Sequence, residues 1–358
     1  MNSKIILYAA LSATLLFLAC SKENVPDDDP NGENSEEPIK EIEEPIEEEN
    51  GESRGADPDE GETGSYSFVK FDFTHQLTGQ KIPVHYFEPK VLENSPEKFP
   101  LVLALHGAEY FLSADTTFLS GFEGEERSAY MALAWVKKKN QAKYPCYVVA
   151  PNLHQGLWQS GGNESYFGWQ KEYPTDLVEK LLDSLLTHNA QIDENRVYLN
   201  GHSMGGDGTW YLGSKLRERF AAIVPLSSAF DSEDDIYQYV QSEVCKGNLK
   251  DLPVWSFIHS VDANSKRANK SDSEDGSRAM AGLMDELAGY DLVYTHRKGN
   301  VDNNLSKQEI FAKIEAGGKH FYTEYTYPCR SVGDCHFAQV YALQEDFLLR
   351  WLFQQHKN

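Results

Sequence analysis

R-V-Y-L-N-G-H-S-M-G-G, residues Arg196 to Gly206, is the stretch whose reading decides the fold. Val197, Tyr198 and Leu199 make a short β-prone run. Gly201-His202-Ser203-Met204-Gly205 then fits G-x-S-x-G, and Gly206 to Lys215 continues in a helix-compatible pattern. A strand, a sharp turn and a helix form the setting in which this pentapeptide has chemical meaning. A serine hydroxyl is a poor nucleophile unless it stands exposed beside a base, with backbone N–H groups nearby. A strained turn supplies that exposure, and flanking glycines let strand and helix approach with no Cβ between them. Alone, the pentapeptide reads almost as well as a glycine-rich turn whose serine caps a helix. Its surroundings have to decide.

Those surroundings alternate strand with helix. Ser65 to Phe73 and Lys81 to Phe87 pair as a hairpin across Leu77-Thr78-Gly79. Pro100 to Leu105 is a continuous apolar run ending at His106-Gly107-Ala108, and Tyr144 to Ala150 is another, closed by Pro151-Asn152. Buried parallel strands read in this way. Ser128 to Lys139 suits a helix, and Asp176 to Asn189 places Leu177, Val178, Leu181, Leu182, Leu185 and Leu186 at helical spacing. Between them, His154 to Trp169 is irregular and aromatic, with Trp158, Tyr166, Phe167 and Trp169. It fits a substrate cleft and a loop tucked onto the core equally well.

After the serine come two more buried strands, Phe220 to Leu226 and Pro253 to His259, the second leading into Ser260-Val261-Asp262. Ser277 to Leu287 and Ser306 to Ala316 are helical, and Leu292 to His296 and Phe321 to Tyr327 are short strands. The two helix-then-strand passages look alike, which suggests that one is an insertion into a simpler plan. Phe337 to Gln355 closes the chain as an amphipathic helix. The alternation implies an α/β fold with a mostly parallel sheet covered on both faces.

Charge sets the amino-terminal part aside. The 358 residues carry a formal −23, of which −15 lies between Cys20 and Gly64. That segment has no aromatic residue and cannot bury enough apolar surface to offset chain entropy, so residues 20–64 read as a disordered acidic tether. Before it, residues 1–19 have Lys4, an apolar run from Ile5 to Phe17 and small Ala19, the pattern of a secretory signal. Leu16-Phe17-Leu18-Ala19-Cys20 resembles a bacterial lipobox, which implies Cys20 as lipid anchor and membrane attachment outside the cytoplasm. Acidic residues after such a cysteine also resemble the surface-export signal of some Gram-negative lipoproteins. No basic face is evident, so a nucleic-acid partner is not expected. Neither H-E-x-x-H nor a paired C-x-x-C occurs, and Asp302-Asn303-Asn304 lacks the glycine and the final glutamate of a calcium loop. No metal or cofactor is expected.

The order of an elbow serine, an acid after a later strand and a histidine before the last helix is that of the α/β-hydrolases. P-L-V-L-A-L-H-G-A (100–108), K-Y-P-C-Y-V-V-A-P (143–151), R-V-Y-L-N-G-H-S-M-G-G-D-G-T-W (196–210), F-A-A-I-V-P (220–225) and P-V-W-S-F-I-H-S-V-D (253–262) extend the likeness. They resemble secreted predicted peptidases and esterases related to prolyl oligopeptidase, feruloyl esterases and polyhydroxybutyrate depolymerases. The resemblance spans about residues 65–355 and implies an α/β-hydrolase catalytic domain over residues 65–358. Ser203 is then the nucleophile, His336 the base and Asp262 the acid. Backbone N–H groups of Met204 and of Gly107 or Ala108 would hold the oxyanion. Relatives often read H-G-x-x-D where this chain has His259-Ser260-Val261-Asp262, and the stretch to Asn304 is long, so Asp272, Asp275 and Asp302 remain alternatives for the acid.

The activity so implied is hydrolysis of a carboxylic ester, either a small ester or an acyl or feruloyl ester of a polysaccharide. A peptidase acting on short peptides and a catalytically silent binding lipoprotein on the same scaffold are the alternatives. Finally, Cys329 and Cys335 bracket five residues including Gly333, and are expected to form a disulfide that steadies His336. Cys146 and Cys245 have no obvious partner in the sequence.

Overall fold

The computed structural model describes residues 68–75, 79, 81–90, 96–107, 130–153, 168–169, 172–228, 235–260, 262, 276–296, 305–325 and 334–357. The expected signal, lipobox and acidic tether, together with Ala108, Trp158, Tyr166, Phe167 and Cys329, lie outside them.

Nine strands of the described residues form one sheet in the order β1-β2-β4-β3-β5-β6-β7-β9-β8. β1 (Val69–Thr74) and β2 (Lys81–Phe87) are the antiparallel hairpin, and β2 runs antiparallel to β4 (Tyr147–Pro151). From β4 onward every neighbour is parallel: β3 (Phe99–Leu105), β5 (Ile192–His202), β6 (Ala222–Leu226), β7 (Val254–His259), β9 (His320–Tyr325) and β8 (Leu292–His296). All seven residues of β3 are buried, as are all of β4, β6, β7 and β9. Strands covered on both faces need no polar side, which is why these segments read as unbroken apolar runs.

The helices take the two faces. On one side α3 (Glu172–His188), α4 (Met204–Lys215) and α5 (Asp235–Cys245) pack Leu181, Trp210 and Val240 against Leu101, Leu103 and Val197. On the other, α1 (Tyr130–Val136), α7 (Lys307–Glu315), α8 (Ala338–Ala342) and α9 (Asp346–Gln354) pack Trp135, Ile310 and Trp351 against Val102, Tyr198 and Trp255. Alternate residues of one strand thus enter opposite cores. A short helix, α2 (Lys138–Lys143), precedes β4, and α6 (Gly276–Gly282) runs on into a wider turn at Leu283–Leu287. Ser306 caps α7 through a reciprocal box with Glu309, so this start was readable from Ser-x-x-Glu.

Two expectations need correction. The helix expected over Phe337 to Gln355 is two, α8 and α9, because Glu345 adopts extended backbone before α9. The strand expected from Tyr144 begins at Tyr147, since Tyr144 ends α2 by donating its N–H to Asn140 O. Helix α5 was not foreseen, although Ile236, Tyr237, Val240 and Val244 are spaced for one face. β9, the later strand, lies beside β7, and β8 sits outside it at the edge. The passage through α6 and β8 therefore adds an edge strand to an eight-strand order, as an insertion would.

Candidate active site

Parallel strands bring their carboxyl ends to one edge, where loops meet. His106 and Gly107 follow β3, Ser203 follows β5, Ser227 follows β6, Asp262 follows β7, and His336 comes after β9.

Ser203 stands alone between β5 and α4, with φ 57° and ψ −120°. A non-glycine residue at positive φ is strained, and such strain persists where the surroundings over-determine it. Here they do. The Ser203 N–H donates to Leu226 O at 3.0 Å, while its carbonyl accepts from Asp207 N–H at 2.9 Å. A Cβ on Gly201 would overlap the carbonyl of Gly205, and one on Gly205 would overlap the carbonyl of Leu105, so neither position has room for a side chain. His202 and Met204 are buried, whereas Ser203 keeps partial exposure. Met204 is the first residue of α4, so its N–H belongs to the end of the helix that has no internal acceptor.

Asp262 is fully buried, and its N–H donates to His259 O at 3.0 Å. His336 ends a one-turn helix, Asp334–His336, and is almost as deeply buried. Its Nδ1 lies 3.0 Å from Oδ1 and 2.9 Å from Oδ2 of Asp262. An ionised carboxylate only accepts, so Nδ1 carries the proton and the neutral ring keeps its lone pair on Nε2. A base that takes a proton from an alcohol needs its lone pair there.

His202 links this pair to the elbow. Its Nε2–H donates to His336 O at 2.7 Å, its ring centre lies 4.7 Å from that of His336, and it stacks on Phe337 at 5.3 Å. Burial, followed by the nearby His336 ring, lowers the His202 pKa to about 3. His106 braces the neighbouring loop. Its Nδ1–H donates to Gly107 O at 2.8 Å, and its Nε2 accepts from Leu153 N–H at 3.0 Å, which fixes one neutral tautomer. Its carbonyl accepts from the Trp169 indole at 3.0 Å. Trp169 is wholly buried in the core, so of the two readings of the aromatic stretch it takes the packed one. His259 closes β7 and is buried, and His320 opens β9 at the opposite edge, with Nε2 near the carbonyls of Leu249 and Leu252.

Sequence reading missed what His202 does, having taken it only as part of the motif. An aromatic donor beside the serine and an aromatic residue, Phe337, after the base were the visible signals.

A mostly parallel sheet with helices on both faces and a strained serine between its central strand and the following helix defines an α/β-hydrolase. An esterase family model matches residues 75–279, more than half of the chain, and the protein belongs to that family of hydrolases. Among solved structures, a thermostable esterase is similar at 26% identity and a TM-score of 0.55, over 81% of this chain. The chain spans 63% of that esterase's length. A feruloyl esterase module from Clostridium thermocellum, solved with sinapinate, is similar at 14% identity and a TM-score of 0.48, over 81% of this chain and 88% of its own. An acylaminoacyl peptidase from Pyrococcus horikoshii is similar at 11% identity and a TM-score of 0.44, over 82% of this chain and 42% of its own. No curated protein matches the chain.

Proposed function

We propose that this hydrolase cleaves carboxylic esters with Ser203 as nucleophile, His336 as general base and acid, and Asp262 as the group that orients His336. The observation that carries the reading is the Asp262–His336 contact, tied through the His336 carbonyl to His202, the residue next to Ser203. In this mechanism Ser203 Oγ attacks the ester carbonyl carbon and its proton passes to His336 Nε2. The oxyanion is held by the N–H of Met204 and by that of Gly107 or Ala108, each such donor being worth ~100–1000-fold in rate. The C–O bond then breaks, His336 returns the proton to the departing alcohol, and an acyl-serine remains. Water, deprotonated by His336, releases the acid and restores Ser203.

The substrates proposed are small esters or the acyl and feruloyl esters that decorate polysaccharides. A tethered enzyme outside the cytoplasm, anchored at Cys20 and spaced from the membrane by the acidic segment, meets such esters at the cell surface. Ser203→Ala is expected to fold normally and lose about 10⁴-fold or more in turnover of a short-chain aryl ester. A fluorophosphonate should label the wild type at Ser203 and leave the variant unlabelled. Retained turnover, or labelling at another residue, would sink the assignment.

A further inference from the structure

Beside the histidine of the proposed site stands a second imidazole that the mechanism above does not use. His202 is completely buried on the last position of β5, and three contacts engage it at once. Its Nε2–H donates to the carbonyl of His336 at 2.7 Å. The imidazole of His336 lies 4.7 Å away across one side, tilted by 53°. The phenyl ring of Phe337 stacks on it at 5.3 Å and 23°. The turn itself is short, Asp334–His336, with α8 following only after Phe337.

We propose that His202 is a positioning residue that fixes the backbone of His336 and Phe337 relative to Ser203. This inference rests on the reading of Ser203, His336 and Asp262 as nucleophile, base and acid. The physical need is specific. The Asp262 contact fixes how the His336 ring rotates, but it leaves open where the ring stands along the sheet edge. A hydrogen bond from the residue adjoining the nucleophile to the main chain of the base sets that separation directly. His202 suits the task because it stays neutral. Burial and the His336 ring both disfavour its charged form, so it does not add a second cation when His336 takes up the serine proton. The hydrogen bond to the His336 carbonyl and the charge of Asp262 act in the other direction on His202 but are outweighed, and Asp262 is already engaged with His336.

The test pairs two substitutions with the Ser203→Ala control on the full chain. His202→Phe keeps an aromatic face and removes the donor, while His202→Gln keeps an N–H at the same reach and removes the ring. A misplacement near 1 Å typically costs about 100-fold, so His202→Phe is expected to lower kcat by that order with KM changed less than about three-fold. His202→Gln should recover most of the loss, and fluorophosphonate labelling rates should follow kcat. A folded His202→Phe variant with kcat within about two-fold of wild type, or Phe and Gln variants equal in kcat, would overturn the proposal. If His202→Phe does not fold, ¹⁵N spectra of the wild type decide. They should show a neutral Nε2–H imidazole for His202 down to pH 5, and a His202 that titrates above that pH would overturn the role. Loss of activity in Ser203→Ala without any effect at His202 would reject this proposal and leave the catalytic reading intact. An active Ser203→Ala would reject the catalytic reading itself.

Discussion

Asp262 directs both carboxylate oxygens at one imidazole nitrogen in a place from which water is excluded. A carboxylate so buried is tolerable only when paired, and the pairing sets which nitrogen of His336 carries the proton. Replacing the carboxylate by an amide removes the charge and admits the wrong tautomer, an exchange that costs about 10⁴-fold in a serine triad. We expect a loss of that order for Asp262→Asn, and near wild-type turnover for Asp272→Asn, Asp275→Asn and Asp302→Asn measured beside it. A large loss in one of the latter three would mean that the acid lies in the segment after β7. At this scale the sequence was informative where a residue type has a local pattern. Ser203 with its glycines was legible in five letters. The company of Asp262 and His336 was less so, because 74 residues separate them and their contact depends on β7 and β9 being neighbours. His202 was the least legible, since its neighbours in sequence and Phe337 after the base hint at a contact whose formation depends on the pairing of distant strands.

Among the elements, the approach of α4 to the sheet and to Trp169 decides how the elbow is braced. A Cβ on Gly208 would overlap the Cβ of Trp169, the root of that side chain and not its movable end. Trp169 in turn holds His106 O, in the loop that leads to Gly107. We expect Gly208→Ala to destabilise the protein by about 1–3 kcal/mol, as overpacking does, and to lower kcat through that brace. Gly282 on α6 provides the contrast, because a Cβ there meets nothing within 4 Å. Gly282→Ala should leave stability unchanged or raise it by up to about 1 kcal/mol. Thermal melts of the two variants with one ester assay check both, and a stable, fully active Gly208→Ala would refute the brace. Strand existence was plain from continuous apolar runs, as in Pro100 to Leu105. The order of the last two strands was not, because β8 and β9 carry similar patterns and only long-range pairing tells which of them lies beside β7. The break between α8 and α9 was hidden for a related reason, as the residues on both sides feed one apolar face.

For the whole molecule the cysteines connect fold, site and compartment. Cys146 is free and buried, and burial pushes its thiol up to about 12. Cys245 and Cys335 are each disulfide-bonded, which for Cys245 departs from the sequence reading. Cys335 adjoins His336, at the carboxyl-end edge of the sheet. For Cys335 we expect Cys329 as the partner, with five residues between them including Gly333, so that the bridge steadies the turn bearing the base. Such a bond persists in an oxidising compartment, in keeping with the proposed location outside the cytoplasm. A non-reduced digest of the secreted protein should yield a peptide pair linked through Cys329 and Cys335, and Cys335→Ser should lower kcat more than it lowers Tm. The same digest reads Cys20, whose sulfur cannot carry both a lipid and a disulfide. A diacylglyceryl group on Cys20 agrees with the anchor, whereas a peptide linking Cys20 to Cys245 would exclude it. Alkylatable thiols at both Cys329 and Cys335 in freshly secreted protein would rule the bridge out.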